Sequence, residues 1–220
     1  MSGYDLYVFD AYGTLFDVHS AVARHRALVG AQADRLSEIW RTKQLEYTWT
    51  RSLMGAYRDF RALTKDALDF AAARVGGVPA EARAALLAAY DTLDAFDDVA
   101  PALRALKARG ATLVILSNGT PDMLASAVRS AGLSDLLEPS ISVAEVGVFK
   151  TDFRVYERVG ARYGVAPSRV SFQSSNRWDV AGAAKFGFRA VWINRTQAPD
   201  EYGDLRPAAV LDGLAGLPTL

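Results

Sequence analysis

Short, dense apolar segments alternate with longer amphipathic segments over most of the chain. The first apolar segment, Tyr4 to Phe9, is continuous rather than alternating, which is typical of a central parallel strand buried on both faces. Three later segments repeat this pattern and each ends at polar residues, namely Ala111 to Leu116, Val170 to Phe172 and Ala190 to Ile193. A further strand is expected within the apolar stretch Val143 to Phe149. Together these segments predict the strands of one sheet.

Helices are expected between these strands. One runs from Pro101 to Arg109, and a second begins at Pro121, because proline suits the first helical position. Thr151 is expected to cap a helix that ends at Gly164, and the last helix is expected from Asp179 to Phe186. Strands that alternate with helices predict an α/β fold, a Rossmann-like parallel sheet with helices on both faces.

The chain between residue 17 and about residue 97 interrupts that alternation. It contains helical patterning and no convincing strand. Helices are expected near residues 20–29, 35–53, 57–75 and 79–91. A helical block inserted after the first strand of an α/β domain is interpreted as a cap over that domain. The sequence therefore predicts an α/β core of residues 1–16 and 98–220 and a helical cap of residues 17–97.

Composition narrows the partners and the chemistry. The 25 basic and 25 acidic side chains leave no net charge, which argues against nucleic acid or an anionic membrane as a partner. The absence of cysteine excludes thiolate catalysis and disulfides, and it is typical of a reducing compartment. No signal peptide or membrane-spanning run is evident, so a cytoplasmic protein is expected. Two histidines, His19 and His25, lie together in the cap region and argue against a histidine-based triad.

Polar residues follow the carboxyl ends of the predicted strands, where open parallel sheets bind their ligands. They are Asp10, Thr14, Ser117, Asn118, Lys150 and residues 174–179. A strand-end aspartate usually closes a turn, and a lone lysine is usually solvated, so each residue alone has an ordinary explanation. The segment around Asp10 is distinctive enough to favour a catalytic role.

That segment, FDAYGTLF at residues 9–16, resembles the first motif of the haloacid dehalogenase superfamily. Phosphatases of the superfamily carry Asp-x-Asp-x-Thr, in which the first Asp is the nucleophile and the second is an acid/base. Here Tyr12 stands at the second Asp position, so the proton donor for a leaving oxygen is missing. The later Gly-Asp motif is replaced by QSSNRWD at residues 173–179, in which Asp179 is the only carboxylate. These departures predict an enzyme that requires no metal or cofactor.

Both departures are typical of one branch of the superfamily, the L-2-haloacid dehalogenases. The resemblance to this branch covers nearly the whole chain and rests on five segments in the right order. They are FDAYGTLF at 9–16, WRTKQLEYTWTRSLM at 40–54, ILSNGTP at 115–121, Phe149-Lys150 ahead of Tyr156, and SSNRWDVAG at 174–182. The resemblance implies hydrolysis of short (S)-2-haloacids to (R)-2-hydroxyacids and halide. Asp10 would attack C2 with inversion and form an ester, which water would then hydrolyse.

The resemblance also implies roles for individual residues. Arg41 would accept the leaving halide, because a guanidinium offers a permanent charge and several donors. Lys150 would keep Asp10 ionised, and Asp179 would activate or position the hydrolytic water. Residues expected to orient these groups are Thr14, Tyr156, Ser174 and Asn176. Residues expected to contact the substrate are Ala11, Tyr12, Leu45, Phe60 and Trp178, with Ser117 and Asn118 on its carboxylate.

Simpler explanations stay open for some of these residues. Arg41 could be an ordinary surface arginine, Asp179 could be the acid of a first helical turn, and Leu45 and Phe60 could belong to the core. Ser117 and Asn118 could form only a turn.

Other functions also stay open. They are a defluorinase of the same family that cleaves C–F bonds, a Mg²⁺-dependent phosphatase of the superfamily, and a non-enzymatic binding protein. The aromatic segment Tyr47 to Tyr57 could supply a homodimer interface, although packing within the cap explains it equally well.

Overall fold

The computed structural model describes Tyr4 and residues 6–220, and a six-stranded parallel sheet lies at its centre. The strands are β1 (Leu6–Phe9), β2 (Thr112–Ser117), β3 (Ile141–Ser142), β4 (Val170–Ser174), β5 (Arg189–Ile193) and β6 (Ala209–Leu211). Their order is β3-β2-β1-β4-β5-β6, and all neighbours are parallel. Strands β1 and β4 are buried along their whole length, and burial on both faces explains the unbroken apolar sequence of β1. The predicted Rossmann-like α/β fold is confirmed.

The strand order reverses beside β1. From β1 the chain moves outward through β2 to β3, and it then returns and moves through β4 and β5 to β6. Right-handed crossovers in opposite directions place their helices on opposite faces of the sheet. The crevice beyond β1 and β4 is therefore the switch point at which open α/β sheets bind ligands. Asp10 follows β1 at this crevice, and Ser174 ends β4.

Helices fill the long connection between β1 and β2. They are α1 (Ser20–Arg24), α2 (Arg26–Val29), α3 (Ala33–Met54), α4 (Phe60–Arg74) and α5 (Ala80–Tyr90). Helix α4 begins after Asp59, whose side chain accepts a hydrogen bond from Ala62 N at 2.8 Å, as an N-cap aspartate does. The connection is helical, as the sequence predicts, while the exact domain limits at residues 17 and 97 stay a prediction.

Four helices accompany the rest of the sheet. They are α6 (Val99–Ala108), α7 (Pro121–Ser130), α8 (Phe153–Tyr163) and α9 (Arg177–Phe186). The prediction that Thr151 caps α8 is wrong, because Asp152 lies nearer the helix and its carboxylate accepts a hydrogen bond from Arg154 N at 3.0 Å. Thr151 instead packs against Gly182, where an added Cβ would lie 2.8 Å from the threonine side chain. Across the described residues, no helix is long and apolar enough to cross a membrane.

The two edge strands differ from the sequence prediction. The apolar stretch 143–149 is not a strand, since β3 ends at Ser142, whose hydroxyl accepts a hydrogen bond from Ala144 N and begins a 3-10 turn. Gly147 then adopts a φ of +65°, which turns the chain again. No strand was predicted at β6, which is three residues long and exposes 53% of Val210. Its residues are apolar, but a run this short does not distinguish a strand from other structure.

Candidate active site

A group of hydrogen-bond donors surrounds Asp10 at the end of β1. Its Oδ2 accepts hydrogen bonds from Asn176 Nδ2 at 2.7 Å, Thr14 Oγ1 at 3.1 Å and Ser174 Oγ at 3.3 Å. Its Oδ1 accepts one from Lys150 Nζ at 3.0 Å. Asp10 is only 5% exposed, so these contacts are made away from bulk water. The two carboxylate oxygens therefore have different environments.

Backbone amides fix the direction of two of these donors. Thr14 Oγ1 accepts a hydrogen bond from Ser175 N at 2.8 Å, and Ser174 Oγ accepts one from Asn176 N at 3.1 Å. Because each hydroxyl already accepts from the backbone, its own hydrogen is directed to Asp10 Oδ2. The loops after β1 and β4 thus hold these donors in place before any substrate binds.

The loop after β1 is a compact turn. The carbonyl oxygen of Ala11 accepts hydrogen bonds from the amides of Thr14, Leu15 and Phe16 at 3.3, 2.9 and 3.0 Å. Gly13 has a φ of +89°, a conformation that side chains other than glycine rarely adopt. The glycine of the FDAYGTLF segment therefore allows the turn that brings Thr14 back to Asp10.

Lys150 bridges two buried carboxylates. Its ammonium lies 3.0 Å from Asp10 Oδ1 and 2.7 Å from Asp179 Oδ2, and Tyr156 Oη donates to Asp179 Oδ1 at 2.8 Å. Burial lowers the pKa of Lys150, but the charges of Asp10 and Asp179 outweigh that effect and the pKa is raised. Lys150 is therefore charged at neutral pH, as its predicted role requires.

Asp179 and Tyr156 are also perturbed by burial. Burial raises the pKa of Asp179 to about 6, while Lys150 opposes and Asp10 reinforces the shift. Burial, and then the charge of Asp179, raise the pKa of Tyr156 well above its usual range. Tyr156 therefore stays a hydrogen-bond donor. Asp179 is a carboxylate at neutral pH and can take up a proton near pH 6.

The same bridge bears on whether the site fits Mg²⁺, which prefers oxygen ligands. The ammonium of Lys150 lies between the carboxylates of Asp10 and Asp179, and its charge would repel a divalent cation there. Within the part of the chain that the structure describes, no three acidic or histidine side chains are grouped closely enough to hold an ion. These residues do not fit a Mg²⁺ site.

Arg41 reaches from helix α3 into the crevice. Its Nη2 donates to Tyr12 O at 3.2 Å and to Asn176 Oδ1 at 3.3 Å, and its Nη1 donates to Gln44 Oε1 at 2.8 Å. Asn176 contacts both Arg41 and Asp10, so the guanidinium lies one residue away from the carboxylate. Arg41 is therefore not an ordinary surface arginine.

Tyr12 and Phe60 form the aromatic side of the crevice. Their ring centroids lie 5.3 Å apart, and both residues are almost fully buried. Tyr90, which the sequence did not suggest, stacks on Tyr12 at 5.6 Å. The hydroxyl of Tyr12 is buried and has no hydrogen-bond partner among the described residues. Burial raises the pKa of Tyr12 well above its usual range, so this wall is uncharged.

Ser117 and Asn118 form the turn after β2. Ser117 Oγ accepts a hydrogen bond from Gly119 N at 3.1 Å, and Asn118 Oδ1 accepts one from Lys150 N at 3.1 Å. An added Cβ at Gly119 would lie 2.8 Å from the ring of Tyr12, so a residue without a side chain is needed there. The turn therefore positions Lys150 and Tyr12, and contact with a substrate carboxylate stays a prediction.

Two residues that were predicted to contact the substrate, Leu45 and Trp178, are not part of the aromatic group of Tyr12 and Phe60. Leu45 is half-buried on α3, and Trp178, on the first turn of α9, packs edge-on against Trp49 with centroids 5.4 Å apart. No ring contact in the described portion of the chain joins Trp178 to Tyr12 or Phe60. Substrate contacts by Leu45 and Trp178 stay predictions.

Sequence reasoning missed the buried polar side chains behind Arg41. They are Gln44, Thr64 and Tyr90, which are 1%, 3% and 4% exposed. Gln44 lies one turn after Trp40, on the buried face of α3. A long polar side chain at the helical spacing of Leu36 and Trp40 was the one available signal.

Sequence comparison with known proteins identifies the relatives of this chain. A family model described as haloacid dehalogenase-like hydrolase matches residues 4–187. The (S)-2-haloacid dehalogenase 1 of Pseudomonas sp. (strain CBS-3) is 48% identical over 214 residues, which are 97% of this chain and 94% of that protein. The (S)-2-haloacid dehalogenase 4A of Burkholderia cepacia is 46% identical over 196 residues, which are 89% of this chain and 85% of that protein.

Solved structures give the same result. The L-2-haloacid dehalogenase from Xanthobacter autotrophicus, with chloropropionic acid covalently bound, has a TM-score of 0.90 and 36% identity. The match covers 99% of this chain and 98% of that one. The chain therefore belongs to the haloacid dehalogenase-like hydrolases and, within them, to the (S)-2-haloacid dehalogenases, which hydrolyse carbon–halide bonds.

Proposed function

We propose that this protein converts short (S)-2-haloacids to (R)-2-hydroxyacids and halide through an ester on Asp10, without a metal or cofactor. The observation that carries the proposal is the unequal hydrogen bonding of the Asp10 carboxylate. Three donors hold Oδ2, whereas Lys150 is the one donor that the described residues offer to Oδ1. Oδ1 therefore keeps a lone pair with which to attack carbon.

In the first step, Oδ1 of Asp10 attacks C2 of the substrate as the bond from C2 to the halogen breaks. The halogen leaves with the bonding electron pair, and the centre at C2 is inverted. Arg41 lies beside Asn176 and Tyr12 and supplies positive charge and donors to the departing halide. The buried rings of Tyr12 and Phe60 exclude water, which strengthens that interaction.

In the second step, water attacks Cγ of the Asp10 ester. If Oδ1 is bonded to C2, then Oδ2 is the ester carbonyl oxygen, on which negative charge develops. Asn176, Thr14 and Ser174 already donate to Oδ2 and would stabilise that charge. Asp179 would accept the proton of the water. Cleavage of the bond between Cγ and Oδ1 then regenerates the Asp10 carboxylate. The second proton of the water passes to Oδ1, which leaves as the hydroxyl oxygen of the hydroxyacid.

The remaining predicted contacts complete the proposal. Ser117 and Asn118, with the backbone of Ala11, would bind the substrate carboxylate, and Leu45 and Trp178 would face its side chain. The relative from Xanthobacter autotrophicus supports the covalent step, since chloropropionic acid is covalently bound in its structure.

Two further proposals concern the surroundings of the enzyme. The end of α3 exposes Trp49, Leu53 and Met54, with 88% of Leu53 accessible, which supports a homodimer contact by the segment Tyr47 to Tyr57. The cysteine-free sequence supports action in the cytoplasm.

Halide release from (S)-2-chloropropionate, (R)-2-chloropropionate and fluoroacetate, measured with and without EDTA, tests the proposed function. We expect turnover of the (S) substrate to (R)-lactate, little turnover of the (R) substrate, and no effect of EDTA. No release from any of the three would contradict the proposal, and loss of release with EDTA would contradict its mechanism. Fluoride release from fluoroacetate would extend the activity to C–F bonds. Phosphomonoester hydrolysis that EDTA abolishes would favour the phosphatase instead.

The pH dependence of ester hydrolysis tests the role of Asp179. If Asp179 accepts the proton of the water, the rate should fall as the pH drops through about 6, the raised pKa of this residue. The Tyr156 hydroxyl stabilises the charged form of Asp179, so its removal in Tyr156→Phe should move the acid limb upward by about one pH unit. Rapid-quench measurement of ester decay from pH 5 to 8 gives the acidic side of the pH–rate profile directly. An acid limb at the same pH in both proteins would assign the proton transfer to another group.

A further inference from the structure

Gln44 lies at the centre of a buried polar network behind Arg41. Its Oε1 accepts hydrogen bonds from Arg41 Nη1 at 2.8 Å and from Tyr90 Oη at 3.0 Å. Its Nε2 donates to Thr64 Oγ1 at 2.8 Å, and Thr64 Oγ1 donates to Phe60 O at 2.7 Å. The network therefore joins helices α3, α4 and α5 at the guanidinium of Arg41, which also contacts Asn176 beside Asp10.

The hydrogen bonds in this network can run in only one direction. The single hydrogen of the Thr64 hydroxyl is donated to Phe60 O, so Thr64 Oγ1 can only accept from Gln44. The amide of Gln44 must then present its nitrogen to Thr64 and its oxygen to Arg41. A flipped amide would place two donors, Gln44 Nε2 and Arg41 Nη1, against each other. Thr64 therefore determines that Arg41 meets the amide oxygen of Gln44 and not its nitrogen.

Among the described residues, no carboxylate contacts the guanidinium of Arg41, so the network leaves its charge uncompensated. The partners of Arg41 are Gln44 Oε1, Tyr12 O and Asn176 Oδ1, all of which are neutral amide oxygens. A carboxylate at any of these positions would form an ion pair and compete with an arriving anion. A neutral acceptor orients the guanidinium and leaves its full charge for a halide.

We propose that Gln44, held by Thr64 and Tyr90, is a positioning residue that sets the geometry of Arg41 for the leaving halide. This inference rests on the proposed function, in which Arg41 accepts that halide. Gln44 acts on the first step, because its described hydrogen bonds are with Arg41, Thr64 and Tyr90 and none of them reaches Asp10, Lys150 or Asp179. Loss of Gln44 should therefore slow ester formation and leave ester hydrolysis unchanged.

The variants for the test are Gln44→Met and Thr64→Val, with Thr48→Val as the matched control. Methionine keeps the length of glutamine and removes both of its hydrogen-bonding groups. Thr48 is a fully buried threonine on α3 whose hydroxyl donates to Leu45 O at 2.6 Å, one turn earlier, as Thr64 donates to Phe60 O. The hydrogen bond of the Thr48 hydroxyl is to Leu45 O and not to Gln44 or Arg41, so its replacement measures the general cost of losing a buried hydroxyl in the cap.

Single-turnover kinetics with (S)-2-chloropropionate and (S)-2-bromopropionate gives the two steps separately. We expect ester formation to slow by about 10- to 100-fold in Gln44→Met and by about 3- to 10-fold in Thr64→Val. Losses of this size correspond to the removal of one or two hydrogen bonds at a charged group. The loss should be larger for chloride than for bromide, because the poorer leaving group depends more on Arg41. Inhibition by added bromide should weaken in parallel, while KM and the rate of ester hydrolysis stay within about twofold of the wild type.

The outcomes separate this inference from the proposed function. Folded Gln44→Met and Thr64→Val proteins with wild-type ester formation and bromide inhibition would overturn the positioning role. Equal losses in Thr64→Val and Thr48→Val, or equal slowing of both chemical steps, would also overturn it, because they indicate only a weakened cap. If Gln44→Met fails to fold, the comparison of the two threonine variants decides alone. Failure of the proposed function would appear in the wild type itself, as an absence of halide release.

Discussion

Replacing Asp10 by asparagine should reduce halide release from (S)-2-chloropropionate by at least about 10⁴-fold, the scale of loss when a covalent nucleophile is removed. The amide lacks the charge and the free lone pair that Oδ1 directs at C2. The fold should survive, because Lys150 keeps its ion pair with Asp179 at 2.7 Å. Halide assays and thermal unfolding of the same sample measure both effects.

Asp152→Asn is the control for this prediction. Asp152 lies two residues after Lys150 and caps α8, a role that asparagine also fills. We expect near wild-type turnover from it. Residual activity of Asp10→Asn within tenfold of the wild type would show that Asp10 is not the nucleophile.

One turnover in H₂¹⁸O distinguishes the ester from direct attack by water, with enzyme in excess over substrate. The ester route gives a first product whose hydroxyl oxygen is unlabelled, since it comes from Asp10 Oδ1, and it leaves one ¹⁸O in the carboxylate. Direct attack would place the label in the product at once. Mass spectrometry of the product and of the peptide that contains Asp10 decides between them.

The central strands and the residues at their ends were predictable because both depend on strong local patterns. A dense apolar run that ends at a polar residue marked β1 and Asp10. Lys150 was expected near Asp10 because a strand was predicted within residues 143–149. That stretch is not a strand, yet Lys150 lies beside Asp10 although 140 residues separate them. Arg41 was predictable only through the resemblance, because a lone arginine on a helix has no distinguishing pattern of its own.

The parts that sequence could not give depend on packing between distant segments. The Gln44 amide, the Thr64 hydroxyl and the Tyr90 hydroxyl meet only when helices α3, α4 and α5 pack, so no local pattern shows that they form one network. Which donors contact Oδ1 of Asp10 and which contact Oδ2 likewise depends on distances and angles that only the folded structure defines. Strand β6 escaped prediction because a run of three apolar residues is too short to distinguish a strand from other structure.

Replacing Lys150 by methionine should lower the free energy of unfolding at pH 7 by about 3–5 kcal/mol, the usual cost of leaving a buried charge without its partner. Lys150 is 1% exposed and separates the carboxylates of Asp10 and Asp179, which would then face each other without a cation. Halide release should be lost as well, because Asp10 would lose the cation that lies 3.0 Å from its Oδ1. Urea unfolding and halide assays measure the two losses.

The pH dependence of that stability loss distinguishes electrostatics from simple loss of packing. Without Lys150, burial should raise the pKa of Asp179 beyond the value of about 6 that it has beside the lysine. A carboxyl whose pKa is raised in the folded state binds protons more tightly there than in the unfolded chain, so the folded state gains stability as the pH falls. The deficit of Lys150→Met relative to the wild type should therefore shrink between pH 7 and pH 4.

Two further variants complete the argument. Lys185→Met removes an exposed lysine of α9 and should change stability by no more than about 0.5 kcal/mol. Adding Asp179→Asn to Lys150→Met removes one of the two facing charges, so part of the lost stability should return while activity stays absent. The stability deficit of Lys150→Met could instead be constant with pH and unaffected by Asp179→Asn. That result would mean that Lys150 contributes packing alone and that its ion pairs with Asp10 and Asp179 do not stabilise the site.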